Sequence, residues 1–468
     1  MIDVKNIKVG IIHIFSSQLF SLILNMILIL LLPKFLDVQN FGYWQLFLFY
    51  VGYVGIFHFG LIDGIYLRYG GIQINQINTR NIESQFGIMI FTQILISSTF
   101  LFFIFEFMES DSNRLFVLYL VAASIPIINS VSFFTYILQT ANMIKEYSKS
   151  VIFEKVILML LILILVFIGN SNFLFYIASF FVSKIFNLLY LIYIYKQKIR
   201  IKSIKHINNY ILSKEILNNI KVGITLLFSN LSGLLIIGSS RYFIDKKWGI
   251  ETFGIISFSL VFISFLLMFI NQISLVLFPA LRRVAEEDAK KIFVKLKETL
   301  SLVLLSSIFL YIPFYSLVNS WLPQYKNGLP FLLMLLPIVI YDGKMNLIYS
   351  TYLKVYRREK ILFIINFFTS IVNIVFAYLF SFVYPNITLL ILSLSMTVIL
   401  KSLIADVYLD IMLNINMMKR NLYELIILIS ILYLFYTGMT FKIIIIAMCL
   451  FIFYFVLNKR NLIINYMR

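Results

Sequence analysis

A succession of long apolar runs constrains this chain more than any other feature of its 468 residues. The runs cover roughly 9–32, 42–61, 85–106, 115–139, 151–169, 173–195, 222–243, 253–279, 299–317, 329–353, 361–384, 387–412, 421–438 and 441–457. Each is long enough for an α-helix to cross a hydrocarbon core about 30 Å thick. In such a core every backbone amide and carbonyl must be satisfied within the protein, which leaves helices or closed barrels. A barrel needs short segments of alternating polarity, and the sequence has none. With 61% hydrophobic and 13% charged residues and a mean hydropathy of +0.95, the composition is far from that of soluble domains. The expectation is an all-α integral membrane protein with about 14 transmembrane helices. The first run follows Lys5 and Lys8, as a signal peptide would, but it is too long for a signal's apolar region and lacks a small-x-small cleavage site. It therefore counts as the first span.

The formal charge of +18 would suit a nucleic-acid binder, yet the placement of the basic residues argues against one. Of the 39 lysines and arginines, only Lys34, Arg114, Lys246, Lys247, Lys326 and Lys442 fall on the side opposite the two termini. By the positive-inside rule both termini are cytoplasmic, and the charge sets orientation. The basic loops are expected to lie against anionic membrane lipids. Cys449 is alone, so no internal disulfide is possible, and no His/Cys cluster has metal-ligand spacing. His13 and His58 are single residues in spans and His206 is in a loop; all three read as packed or interfacial side chains. No cofactor and no metal is implied.

The hexapeptide Asn6-Ile7-Lys8-Val9-Gly10-Ile11 recurs as Asn219 to Ile224. Phe15-Ser16 recurs as Phe228-Ser229, Phe41-Gly42 as Phe253-Gly254 and Pro126-Ile127 as Pro337-Ile338, at nearly constant offset. A tandem duplication is the reading. With an even number of spans in the first copy, the second re-enters the membrane in the same orientation, giving two parallel six-helix repeats. The expected organisation is an N-terminal bundle over 1–196, a basic cytoplasmic linker over 197–221, a second bundle over 222–413, and a peripheral pair of extra helices, 13 and 14, over 414–468. Pro126, near Asn129, and Pro337, near Asp342, bend matching spans; such kinks either border a cavity or are purely structural.

Lys184 and Lys401 stand almost at the centres of spans six and twelve. A lysine there costs about 2.5–3.5 kcal/mol on insertion scales and must face protein or water. Lys184 shares a helical face with Asn187, and Asp406 and Asp410 follow Lys401 toward the cytoplasm. Asp342 and Lys344 are two apart and so point to different faces. Arg241, with Asp245 one turn on, reads equally as an interfacial ion pair or as part of a pathway. Glu154 and Lys155 lie near the end of span five, where snorkelling is the default. The candidate substrate-binding residues are Lys184, Lys401, Lys344 and Arg241, and the candidates for ion coupling are Asp342 and Asp406. The lysines either pair with buried carboxylates or line one cationic cavity. Such a cavity suits a diphosphate, because lysine binds phosphate as a point charge. If that diphosphate carries a long lipid tail left in the bilayer, the activity is that of a flippase.

Three stretches carry a family likeness: Leu32-Pro33-Lys34-Phe35-Leu36 through Phe41-Gly42-Tyr43-Trp44-Gln45-Leu46 to Phe59-Gly60-Leu61, Arg241-Tyr242-Phe243-Ile244 to Phe253-Gly254-Ile255-Ile256-Ser257, and Leu277-Phe278-Pro279. With the span pattern they resemble the polysaccharide (Wzx-like) flippases of the multidrug/oligosaccharidyl-lipid/polysaccharide exporter superfamily, over most of residues 5–413. The resemblance implies a V-shaped, MATE-like transporter of two six-helix bundles. It also implies alternating access and export of undecaprenyl-diphosphate-linked oligosaccharide across the bacterial cytoplasmic membrane, for capsule, O-antigen or another surface glycan. Protons or sodium are the candidate coupling ions. Two other functions compete. Cation-coupled drug export of the MATE type favours cavity carboxylates and aromatics, whereas the central charges here are mostly basic. A membrane glycan polymerase or ligase needs a sizeable outer loop and a catalytic constellation, and neither is found.

Overall fold

The computed structural model describes residues 20, 23–70, 79–107, 111–141, 143–199, 209–281, 284–415, 418–438 and 443–454. The first hexapeptide, Lys5, Lys8, His13, most of the first span, Glu109, the linker residues 200–208 and Lys442 lie outside them. The helices are α1 Ile23–Phe35, α2 Val38–Val51, α3 Leu61–Tyr69, α4 Thr79–Phe107, α5 Ser112–Thr140, α6 Ile144–Ile168, α7 Phe173–Lys198 and α8 Asn209–Leu281. They continue as α9 Glu286–Ser306, α10 Tyr311–Trp321, α11 Leu329–Lys344, α12 Ser350–Val355, α13 Glu359–Tyr378, α14 Ile387–Met412, α15 Met418–Thr437 and α16 Ile443–Tyr454. Among the described residues there is no strand, and each of the fourteen apolar runs is mostly helical where it is described. Spans seven and eight form the single element α8, which turns at Gly249, where φ is 78°. The protein is a multi-span membrane protein.

Local chemistry sets where the helices start. Asp37, Asp111, Asn172 and Asn386 each accept a hydrogen bond from a first-turn amide of α2, α5, α7 and α14, respectively. All four caps lie on the side poor in lysine and arginine. A serine from a neighbouring helix satisfies the Pro126 kink, and another bonds the backbone beside Pro337. Pro126 leaves the Ala122 carbonyl without its helical donor, and Ser97 Oγ donates to it at 2.8 Å. Near Pro337, Ser395 Oγ donates to the Met334 carbonyl at 2.5 Å.

The chain divides into two compact units, Met1–Leu231 and Ser232–Arg468, so the boundary falls inside α8. The first unit has a core of Ile62, Ile65, Met89, Phe133, Leu191 and their neighbours, drawn from α3, α4, α5 and α7. The start of α8 joins this unit through a backbone-to-backbone contact. A Cβ on Gly64 would lie 1.9 Å from the Asn219 carbonyl oxygen, and one on Gly223 would lie 2.0 Å from the Gly60 carbonyl oxygen. Small residues four apart permit such an approach between membrane helices. Arg68 adds hydrogen bonds to Glu215 (2.8 Å) and Asn219 (2.6 Å). Asn219 and Gly223 of the repeated hexapeptide are therefore packing residues in the second copy. The second unit is built around α11, which is buried along nearly its whole length and packs against α14, α9 and α15.

Candidate functional site

In the first unit, α6 and α7 pack side by side and bring together the polar residues of spans five and six. Lys184 Nζ lies 2.7 Å from Glu154 Oε1, and Asn187 Nδ2 donates to Glu154 Oε2 at 2.6 Å. One carboxylate thus bridges the whole polar stripe of α7. Glu154 does not snorkel outward as expected, because two donors one turn apart hold it against the neighbouring helix. Lys155 makes no hydrogen bond or ion pair among the described residues, and it feels Glu154 and Lys184 through space. The cluster holds two lysines against one carboxylate within membrane helices.

The second unit holds the remaining candidates and two groups not anticipated. Lys401 Nζ donates to Asp342 Oδ1 at 2.7 Å, and Asn346 Nδ2 donates to Asp342 Oδ2 at 3.1 Å. Of the two alternatives open for Lys401, the structure has the pair with a carboxylate, contributed by α11. Lys344, another candidate substrate contact, is paired as well. It is 2% exposed, and its Nζ reaches both carboxylate oxygens of Glu424 on α15 at 2.5 Å. Helix 13 is accordingly more than a peripheral lipid-facing element. It buries Glu424, Leu428, Ile431 and Phe435 while exposing Tyr423, Ile426, Ile429, Tyr433 and Tyr436. Asp406, offered for ion coupling, is 2.6 Å from Lys297 Nζ and accepts from Asn421. Lys297 also donates to both oxygens of Asp410 at 3.1 Å. Around Asp406, then, Lys297 and Lys344 face three buried carboxylates, Asp406, Asp410 and Glu424. Arg241 donates to Ser257 Oγ at 3.0 Å and stacks 4.8 Å over the Phe253 ring.

Lys297 falls just before the ninth apolar run (299–317), yet it sits on the buried stripe Phe293, Lys297, Leu300, Leu304 of α9. That helical spacing was legible, and it placed the lysine inward. Asp63 was missed for a different reason. The apparent run stops at Leu61, and the span in fact continues past a break. The segment α2, a 3₁₀ turn at Val54–His58 and α3 bends by 63° at Phe59 and Gly60, both with positive φ (51° and 81°). At that break Asn129 Nδ2 donates to the Val54 carbonyl at 3.2 Å and to Gln93 Oε1 at 2.7 Å, while Gln93 donates to the Phe57 carbonyl. The Asn129 noted beside Pro126 thus serves helix 2 rather than its own kink.

Residues 7–285 match the family of polysaccharide biosynthesis proteins. Among solved structures, the lipid II flippase MurJ in an inward closed conformation aligns over 98% of this chain and 100% of its own, at 16% identity and a TM-score of 0.66. An inward-facing multidrug resistance MATE family transporter of the MOP superfamily aligns over 85% of this chain and 98% of its own, at 14% identity and a TM-score of 0.64. A MOP superfamily transporter from Pyrococcus furiosus aligns over 86% and 95%, at 12% identity and a TM-score of 0.58. No curated protein matches the chain by sequence. The fold is the one seen in these MATE and MurJ structures. The chain belongs to the polysaccharide biosynthesis protein family.

Proposed function

We propose that the protein is a flippase that moves undecaprenyl-diphosphate-linked oligosaccharide across the cytoplasmic membrane by alternating access, both termini inside, for surface polysaccharide synthesis. The observation that carries this reading is the cluster of Lys155 and Lys184 with the single carboxylate Glu154. A surplus of positive charge among membrane helices is costly alone and is relieved by an anionic ligand. In the proposed cycle the diphosphate takes the place of Glu154 at Lys184, and Lys155 supplies the second charge. Lys401 engages only by exchanging Asp342 for phosphate, and Arg241 is the remaining candidate contact. The expected result is that Lys155→Ala with Lys184→Ala abolishes surface glycan while the protein remains inserted and abundant. Arginine at both positions is expected to restore part of it. Normal glycan from the double alanine variant sinks this reading.

The surplus of carboxylate around Asp406 supports a second reading, cation-coupled drug export, and on the first reading it offers a place for a coupling proton or sodium ion. Drug susceptibility separates the two. A flippase leaves susceptibility unchanged when deleted and removes the glycan, and a drug exporter does the reverse.

A further inference from the structure

Helix 2 carries a titratable pair at its break that the cluster on α6 and α7 does not use. His58 Nδ1 accepts a hydrogen bond from the Gly60 amide at 3.1 Å, so this nitrogen holds a lone pair and the proton of the neutral ring sits on Nε2. Nε2 faces Asp63 Oδ2 at 3.8 Å across the break. The side chains of His58 and Asp63 are 10% and 7% exposed. Between them lie Phe59 and Gly60 in the left-handed region. A left-handed phenylalanine is strained, because its Cβ crowds the following carbonyl, and it persists only where its surroundings hold it. The Gly60 amide bond to His58 is one such restraint, and the donations of Asn129 and Gln93 to the Val54 and Phe57 carbonyls are the others.

We propose that His58 and Asp63 form a proton-binding site that sets the bend of helix 2. Protonation places a second hydrogen on Nδ1, opposite the Gly60 N–H that it now accepts from. Donor then faces donor, and the restraint on Phe59 is lost. The imidazolium is free to turn toward the Asp63 carboxylate, and Phe59 relaxes toward the right-handed region, straightening the span. Among the described residues, Tyr136 of α5 lies within electrostatic reach of Asp63, and Tyr66 of α3 and Tyr147 of α6 lie in turn within reach of Tyr136. The charged pair Arg68 and Glu215 stands beyond them and is already mutually satisfied at 2.8 Å. Gln93 and Asn129 from α4 and α5 carry no charge. The inference extends the proposed transporter by naming an ion and its site. Its test reads conformation, so it stands or falls apart from the identity of the substrate.

Spin labels at Gln39 and Leu67, both exposed, in a Cys449→Ser background report the span's length in lipid nanodiscs. Arms of about 20 and 8 residues at 1.5 Å rise, bent by 63°, straighten by about 5 Å end to end. That lengthening is expected between about pH 8 and pH 4, the range in which imidazole and carboxyl groups change charge. His58→Asn is expected to stay bent throughout, because an Asn oxygen accepts the amide two residues on and does not titrate. His58→Ala is expected to be extended at both ends of the range. An unchanged distance in the parent overturns the proposal. So does a pH-dependent change that survives in His58→Asn, since the proton would then bind elsewhere.

Discussion

Lys344→Met is expected to destabilise the second unit by about 3–5 kcal/mol, and adding Glu424→Leu is expected to recover most of that loss. The two side chains are 3% and 2% exposed and meet at 2.5 Å. Tyr454 of α16, at 3.5 Å, is a further partner of the Glu424 carboxylate. Removing the ammonium alone strands a carboxylate among Tyr341, Tyr349 and the apolar face of α15, where water cannot reach it. Replacing both ions by apolar groups of similar volume removes the desolvation cost together with the attraction. Thermal melting of the detergent-solubilised protein decides between the outcomes. A double variant no more stable than the single would show that the pair holds α15 by something other than charge compensation.

Gly64→Ala is expected to cost at least about 3 kcal/mol, the upper part of the range for overpacking. The added carbon would lie 1.9 Å from the Asn219 carbonyl oxygen, which is backbone and cannot rotate away. Helices α3 and α8 would have to separate, and Arg68 would lose Glu215 and Asn219 with them. Gly87→Ala is the matched control. It lies within α4 with nothing within 4 Å of the new carbon, and it is expected to stabilise by about 0.5–1 kcal/mol through lower unfolded-chain entropy. Equal melting temperatures for the two variants would refute the close approach.

Apolar length made the helices legible, because the bilayer imposes one threshold on every span. The basic loops imply an orientation by the positive-inside rule. Much less of the site could be read. Lys184 and Lys401 were recognised as costly, but their compensation comes from Glu154 on α6 and Asp342 on α11, and which helices adjoin is a tertiary fact that periodicity does not contain. Asp342 and Lys344 do point to different partners, Lys401 and Glu424, as their two-residue spacing required. Lys297 and Glu424 sit at the edges of apolar runs, where a charge counts by default as a loop residue. Only their helical spacing from Phe293 and Leu428 marks them as inward. The break at Phe59 was hidden because phenylalanine gives no warning of a left-handed conformation.

The 213-residue offset between the hexapeptides sets Phe59 and Gly60 opposite Gln272 and Ile273, which lie inside the uninterrupted later part of α8. On the reading of the chain as a doubling, its ancestor had two equal limbs, and only one now has an elbow. On that reading the two copies no longer bend alike. An alanine at residue 60 would meet the break of helix 2, while a substitution at residue 273 changes one position along a rod. Such a chain keeps the economy of a repeated plan while giving up its symmetry of motion.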